Sequence, residues 1–118
     1  MNQKSIIQLQ KTFPYTHFFV YRTKQYPLNF NFLKISSQYV QQNEIEFSQS
    51  KYINLLNEID ENNIDIDEKV IKTFIKYIQQ EPIEIHNENV AILNFLGRRY
   101  MIKELIESTD EYISNHQT

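Results

Sequence analysis

Three histidines, a run of carboxylates and an arginine pair are the residues of this 118-residue chain that could perform chemistry. His17, His86 and His116 lie far apart in the sequence, and none has a second histidine three or four residues away. Metal-binding helices present their ligands at that spacing. The sequence therefore predicts no metal site. It predicts instead a strand position for His17, a loop position for His86 and a tail position for His116.

The carboxylates are densest in an acidic segment, residues 60–68. A calcium loop that began at Asp60 would place Ile64 at the third ligand position and Asp65 where glycine must turn the chain, so the spacing excludes this kind of site. General acid–base catalysis needs two carboxylates in different environments within a cleft. We therefore predict a solvated acidic loop rather than a catalytic pair.

Nucleophilic and anion-binding chemistry has little support in the sequence. Cysteine is absent, and no serine lies in a glycine-flanked elbow that would expose its hydroxyl. The single glycine, Gly97, excludes the glycine-rich phosphate-binding motifs. The pair Arg98–Arg99 lies within a helical pattern, where basic pairs usually form a solvated face. We predict no catalytic residue, cofactor, metal or small-molecule substrate; a small hydrolase without a recognisable motif is an alternative.

The composition indicates one folded domain. Hydrophobic residues make up 41% of the chain and include eight phenylalanines and eight tyrosines, which suffice for a core at this length. No stretch approaches the roughly 18 apolar residues of a membrane helix. The amino-terminal end lacks a signal-peptide pattern, and cysteine is absent. These features predict an intracellular protein, cytoplasmic or nuclear, with no membrane partner.

The charges are unevenly distributed along the chain. The first 43 residues contain five basic residues and no acidic residue, and all fifteen acidic residues follow them. We expect a folded dipole that could steer self-association or a partner of complementary charge. The alternative is a small regulatory protein that binds nucleic acid through its basic amino half. Five charges over 43 residues are, however, a low density for a phosphate-binding surface.

The amino half is predicted to form strands, and the carboxyl half to form helices. Phe18–Tyr21 and Tyr26–Leu28 have the composition of two strands joined by a polar turn. A short helix of two to three turns is predicted from Asn29. Beyond it, Ile45 and Phe47 alternate with polar residues, which predicts a third strand over Glu44–Ser48.

The carboxyl half contains the most regular helical pattern. The apolar stripe of residues 70–78 predicts a helix that Pro82 closes. The other elements predicted after residue 50 are a helix over Tyr52–Ile59, the acidic loop Asp60–Glu68, a short strand over Pro82–Ile85, a helix that begins at Asn87 or Asn89 and includes Val90–Leu96, a break near Tyr100–Met101, and a last helix over Ile102–Ile113.

This order of elements predicts an α+β fold with a small, mostly amino-terminal sheet and a cluster of helices. The apolar positions of the predicted elements should pack into one core. We expect that core to include Phe19, Leu33, Phe74, Ile78, Leu93, Leu96 and Leu105.

One ungapped stretch, Gln25–Val40, combines Phe32–Leu33 with a Ser-Gln-Tyr-Val sequence that starts at Ser37. It resembles the strand-into-helix signature of the BTB/POZ domain family. In that signature an aromatic and an aliphatic residue precede a histidine, a basic residue and a Val-Leu pair, and a Ser-x-Tyr-Phe close begins four residues after that leucine. Asn29 replaces the histidine here, and Phe30 replaces the basic residue.

A second stretch in the carboxyl half is also similar to this family. Val70–Tyr77, Pro82–Ile85 and Asn89–Leu105 resemble its helix, short strand, helix and closing helix, with Gly97 at a small-residue position. The resemblance covers about residues 16–114. It implies a BTB/POZ-like fold, with residues 1–15 as an amino-terminal extension and residues 16–118 as the domain.

The resemblance implies a non-enzymatic interaction module that associates with itself as a homodimer, binds an adaptor, or docks to a cullin-type scaffold of a ubiquitin ligase. In family terms, the segment ahead of the helix that starts near Val70 is part of the cullin-facing surface. Here that segment gives five candidate partner-binding residues: Ile64, Asp65, Ile66, Asp67 and Glu68. The competing interpretation is that Ile64 and Ile66 anchor the segment in the core.

The chain also departs from the family. Thr16–His17 stands where many relatives have an aspartate, and the charged residues that animal relatives bury at a dimer interface are not evident. Residues 1–13 lack a clear amphipathic helix of the kind used in dimer exchange. The kelch, zinc-finger or ankyrin modules that usually accompany such a domain are missing, so we expect a stand-alone adaptor or a fragment.

Overall fold

The computed structural model describes residues 15–116, which form a small α+β domain with a three-stranded sheet and several helices. The predicted extension, residues 1–15, lies outside the described residues except for Tyr15. The elements are β1 (His17–Tyr21), β2 (Lys24–Leu28), α1 (Phe30–Ser36), α2 (Gln38–Gln42), α3 (Glu44–Gln49), β3 (Tyr52–Asn54), α4 (Glu58–Asn63), α5 (Glu68–Ile78), α6 (Val90–Arg99) and α7 (Lys103–Asn115).

The predicted hairpin is confirmed: β1 and β2 pair antiparallel around a two-residue turn. Such turns usually need glycine, because the backbone must adopt a positive φ. Arg22 takes this conformation here, with φ of 56°. Alternation then sorts the side chains of β1: His17, Phe19 and Tyr21 are buried, whereas Phe18 and Val20 are half-buried on the other face of the sheet.

The sheet has the strand order β2-β1-β3, and β3 runs parallel to β1. Pro27 lies on β2, an edge strand, opposite Phe18, whose N–H points to β3 and donates to the Lys51 carbonyl at 2.8 Å. The missing N–H of Pro27 therefore removes no bond to β1. This proline also leaves the open edge of the sheet short of donors, which opposes the addition of further strands.

Four predictions for the short elements were wrong. Residues 44–49 form the helix α3 instead of a strand. The prediction failed because a one-sided apolar pattern over five residues fits either structure. In the helix Ile45 is 73% exposed, and only Phe47 packs inward, edge-on against Tyr39. The third strand is β3, within the segment predicted to be helical. Its pairing with β1 buries Ile53, and three residues are too few to show a period.

The other two corrections concern the flanks of α5. The helix α4 occupies part of the predicted acidic loop, because Asn57 caps it by accepting a hydrogen bond from the Asp60 N–H at 2.7 Å. Residues 81–86 are irregular and do not form the predicted strand. Ile83 and Ile85 nevertheless pack against the core, which explains the alternation without a partner strand.

The long helices were predicted well. The helix α5 ends at Ile78 ahead of Pro82, and α6 begins after Asn89, one of the two proposed cap positions. The Asn89 side chain binds the preceding loop, through the Glu84 carbonyl and the His86 N–H, rather than the helix. The break before α7 lies at residues 100–102, where Met101 adopts φ of 54°.

Gly97 allows the helices α6 and α7 to pack closely. A Cβ atom at this position would lie 3.3 Å from the Leu105 Cγ, closer than most carbon contacts in folded proteins. The glycine therefore serves the contact between the two helices and not a turn.

All seven predicted core residues are fully buried, and the core prediction is confirmed. Tyr100 lies among them, with its ring 5.6 Å from that of Phe19 and 5.8 Å from that of Phe74. Its hydroxyl donates to the Leu55 carbonyl at 2.6 Å. Its own carbonyl accepts from the buried Ser37 hydroxyl, which also caps α2 by accepting from the Val40 N–H. Tyr100 thus links α6, the end of β3 and the junction between α1 and α2.

Substitution by alanine should lower stability at the buried positions of a helix and leave it unchanged at the exposed ones. We expect Leu33→Ala to lower the free energy of unfolding by roughly 2–5 kcal/mol, because it removes a fully buried side chain from α1. Phe74→Ala should have a similar effect. Ile35→Ala, on the exposed face of the same helix, is the control and should change stability by less than about 0.5 kcal/mol. Thermal melts by circular dichroism measure all three, and an unchanged Leu33→Ala melt would contradict the fold.

The buried hydroxyl of Tyr100 should make stability fall in alkali. Burial raises the pKa of Tyr100 well above its ordinary value, so the unfolded chain ionises first and wild-type stability is lost as the pH rises above about 10. At pH 7, Tyr100→Phe should cost about 0.5–1.5 kcal/mol through the lost hydrogen bond. The difference between wild type and Tyr100→Phe in the free energy of unfolding, measured in urea, should shrink above pH 10. A difference that stays constant to pH 11 would show that this hydroxyl ionises as easily in the folded state.

Candidate protein-interaction surface

The candidate segment, residues 64–68, connects α4 to α5 and is attached to the core at its centre. Ile66 is 4% exposed and belongs to the core, whereas Ile64 is half-buried against it. The Tyr21 hydroxyl donates to the Ile64 carbonyl at 3.3 Å and accepts from the Ile66 N–H at 2.9 Å. The backbone of the segment is therefore fixed on both sides of Asp65.

The acidic residues of the segment project outward from this fixed backbone. Asp65 has a side chain that is 84% exposed and contacts the Arg22 guanidinium at 2.7 Å. Asp67 caps α5 by accepting a hydrogen bond from the Lys69 N–H at 2.8 Å. Carboxylates suit this position because they also face the positive end of the helix dipole.

Glu68 faces two lysines. Its carboxylate lies 3.0 Å from the Lys24 Nζ and 3.6 Å from the Lys72 Nζ. The hydrogen bond from Lys24 and the charges of both lysines lower the pKa of Glu68, and the same hydrogen bond and the charge of Glu68 raise the pKa of Lys24. The turn of the hairpin is thus joined to the start of α5.

Of the five predicted site residues, the structure brings Asp65, Asp67 and Glu68 together on the surface and places Ile66 inside the core. Core anchoring therefore accounts for Ile66. The contacts of this segment with Tyr21, Arg22 and Lys24 carry no signal in the sequence, because each joins residues more than 40 positions apart.

The charge dipole expected from the sequence is largely neutralised within the described residues. Of the five basic residues in the first 43, the three that lie in residues 15–116 all form ion pairs with acids from the second part of the chain. These pairs are Arg22–Asp65, Lys24–Glu68 and Lys34–Glu44. Each described cation of the amino half therefore lies beside a carboxylate of the same chain.

The two arginines behave differently from each other. Arg98 is exposed, as predicted for a solvated face, and donates to both carboxylate oxygens of Asp110 at 2.7 and 2.8 Å. Arg99 is partly buried instead; it donates to the Leu55 carbonyl at 3.2 Å and lies 3.4 Å from Asp60. The prediction of a solvated face is wrong for Arg99, because the side chain bridges α6 and α4.

The three histidines lie in the predicted kinds of position. His17 lies on β1 and stacks on Phe30 at 4.5 Å, His86 lies in the loop before α6, and His116 follows α7. Among residues 15–116, no group of three or more histidine, aspartate or glutamate side chains could hold a metal ion. Within the same range, no helix has the length and apolar character needed to cross a membrane.

Comparison with known proteins leaves the acidic segment without an assigned role. A scan against protein-family models found no match to this sequence, and a search of the curated proteins found none either. The contacts and charges of residues 64–68 are therefore the basis for the functional interpretation.

The ion pair at Glu68 should make stability depend on acid pH. Because the pKa of Glu68 is lowered in the folded state, its contribution is present above the ordinary carboxyl pKa of about 4.3 and is lost as the pH falls through the folded value. Wild type should therefore be more stable than Glu68→Gln at pH 7, and the two should converge near pH 3. Urea unfolding at both pH values measures this. Glu111→Gln, an exposed change on α7, is the control, and a difference that persists at pH 3 would contradict the assigned ion pair.

Proposed function

We propose that this chain is a BTB/POZ-type protein-interaction domain that associates with itself or binds an adaptor protein. The observation that carries the proposal is the fixed acidic segment, in which Ile66 and Tyr21 hold the backbone while Asp65, Asp67 and Glu68 face solvent. A surface with a rigid backbone loses little conformational entropy when it binds a partner. The segment is suited to recognition of a basic protein surface.

The positions of the residues that resemble the family support this proposal. Leu33, Ser37 and Val40 of the first stretch are buried, and Ser37 donates its hydroxyl hydrogen to the carbonyl of Tyr100 in the second stretch. The two stretches therefore meet in one contact. The order of a hairpin, paired short helices, α5, α6 and α7 supports the proposal, whereas the short strand that the resemblance implies over Pro82–Ile85 is irregular here.

We propose a cullin-type ubiquitin-ligase scaffold as one partner of the acidic segment, and a second copy of the chain as another. Asp65 and Glu68 already pair with Arg22 and Lys24, so basic residues of the partner would compete with these exposed ion pairs at the rim of the contact. Charges at a rim mainly affect the rate of association. The alternative function, nucleic-acid binding through the amino half, has less support, because five basic residues over 43 positions are a low density for a phosphate-binding surface.

The experiment that tests the proposal neutralises the segment without changing its shape. A triple variant, Asp65→Asn, Asp67→Asn and Glu68→Gln, keeps side-chain size, and asparagine still caps α5. We expect it to remain folded and to lose at least about tenfold in affinity for a purified cullin-family scaffold, or in dimer affinity by analytical ultracentrifugation; a tenfold loss corresponds to about 1.4 kcal/mol. Biolayer interferometry measures the scaffold affinity.

The control neutralises three exposed acids elsewhere: Glu46→Gln, Glu84→Gln and Glu111→Gln. It should bind like wild type. Equal binding by both triple variants would show that the segment is not the interface. Retention on a nucleic-acid column that weakens steeply between about 50 and 200 mM salt would instead favour the alternative function.

A further inference from the structure

A surface groove lies where α1 and α5 end and α7 begins. Its volume is about 620 Å³, within the range of ligand-binding pockets. It is at the opposite end of α5 from the acidic segment 64–68. The residues that line it are Ile35, Ser36, Tyr77, Gln80, Glu81, Pro82, Ile102, Lys103 and Glu104.

The groove has an apolar wall that solvent reaches. Ile35 is 66% exposed, although it occupies the same helix as the fully buried Leu33. Tyr77 is half-buried, and Pro82 is exposed on the segment that follows α5. Exposed aliphatic side chains are common singly, but here one stands beside an aromatic ring and a proline in a concave site. An apolar side chain placed in this groove would bury part of all three.

The polar part of the groove is mainly acidic. Glu81 and Glu104 are exposed, and neither forms an ion pair within residues 15–116. Lys103 also lines the groove, and its ammonium group lies 3.9 Å from Glu107 on the same helix. Two carboxylates are therefore free to pair with a partner, and the one cation of the lining is already near an acid.

Tyr77 provides a second sign that Glu104 faces the groove. Burial raises the pKa of the Tyr77 hydroxyl, and the negative charge of Glu104 raises it further. The carboxylate therefore lies close enough to the ring to influence it. Glu81 is fixed nearby, because its N–H donates to the Lys76 carbonyl at 3.0 Å where α5 ends.

We propose that this groove binds a protein segment in which an aliphatic side chain is flanked by lysine or arginine. The aliphatic side chain would lie against Ile35, Tyr77 and Pro82, and the flanking cations would pair with Glu81 and Glu104. Complementary charge at an exposed rim of this kind gives specificity and salt sensitivity. The inference concerns a surface separate from the acidic segment and does not depend on the partner that binds there.

The test begins with selection from a phage-displayed library of random heptapeptides on the immobilised full chain. The selected peptides should contain leucine, isoleucine, valine or methionine next to lysine or arginine. The leading sequence, made as a fluorescein-labelled peptide, is then measured by fluorescence anisotropy at about 50 and 200 mM salt, where binding should weaken as salt rises.

Variants locate the binding site of that peptide. Glu81→Gln with Glu104→Gln should weaken binding by at least about tenfold and reduce its salt dependence. Ile35→Asp should abolish binding while leaving the thermal melt unchanged, because Ile35 is largely exposed. In a second selection, Glu81→Lys with Glu104→Lys should enrich acidic peptides.

The matched control uses a similar set of residues on α4, which does not line the groove. Ile59 is 73% exposed and lies between Glu58 and Glu61. Neither Ile59→Asp nor Glu58→Gln with Glu61→Gln should change peptide binding. Failure to enrich any peptide, enrichment of acidic peptides on wild type, or equal loss in the α4 variants would overturn the proposal. Peptide binding that is lost only in the Asp65, Asp67 and Glu68 variant would assign it to the other surface.

Discussion

Much of the structure depends on Tyr100, whose hydroxyl and carbonyl are both bonded in the core. A buried polar group without a partner costs stability, so the position of each partner is constrained. The hydroxyl requires the Leu55 carbonyl at the end of β3, and the carbonyl accepts from Ser37 between α1 and α2. The ring fills the space between Phe19 of the sheet and Phe74 of α5. The sheet and both helical parts of the chain therefore meet around one residue.

The surfaces that we propose for binding lie on the two ends of the best-formed helix. The helix α5 buries five residues of its apolar stripe, so its position relative to the core is fixed. Its amino-terminal end presents Asp67 and Glu68, and its carboxyl-terminal end presents the groove beside Tyr77 and Glu81. Both ends are acidic, yet the surroundings of the acids differ. Ion pairs hold Asp65 and Glu68 near the first end, whereas the acids at the second end border a groove with an apolar wall.

Regular, longer elements could be predicted from the sequence because periodicity needs length. The stripe of residues 70–78 shows the helical period over about two and a half turns. The first strand of the hairpin shows a run of aromatic and β-branched residues. The errors fell on segments of three to six residues: α3, β3, α4 and the irregular 81–86. Over such lengths, strand and helix patterns coincide, and only tertiary contacts decide between them. Ile53 is a strand residue because β1 lies beside it.

The candidate site shows the same division between local and long-range information. Local composition was enough to single out residues 64–68, with isoleucines spaced among acids. It could not decide that Ile66 points into the core, since that depends on Tyr21, 45 positions earlier in the chain. Nor could it assign Arg22 and Lys24 as the partners of Asp65 and Glu68. Ion pairs between distant segments depend on the fold and leave no periodic signal.

The left-handed residues Arg22, Gln80 and Met101 have a consequence for how this sequence can evolve. Each holds a positive φ without being glycine, a conformation that costs an ordinary residue roughly 1–2 kcal/mol. The only glycine of the chain serves a helix contact instead. Single changes to glycine at these three positions would relieve that strain, less the entropy that glycine adds to the unfolded chain. At Met101, which belongs to neither proposed binding surface, such a gain could offset a destabilising change at one of them.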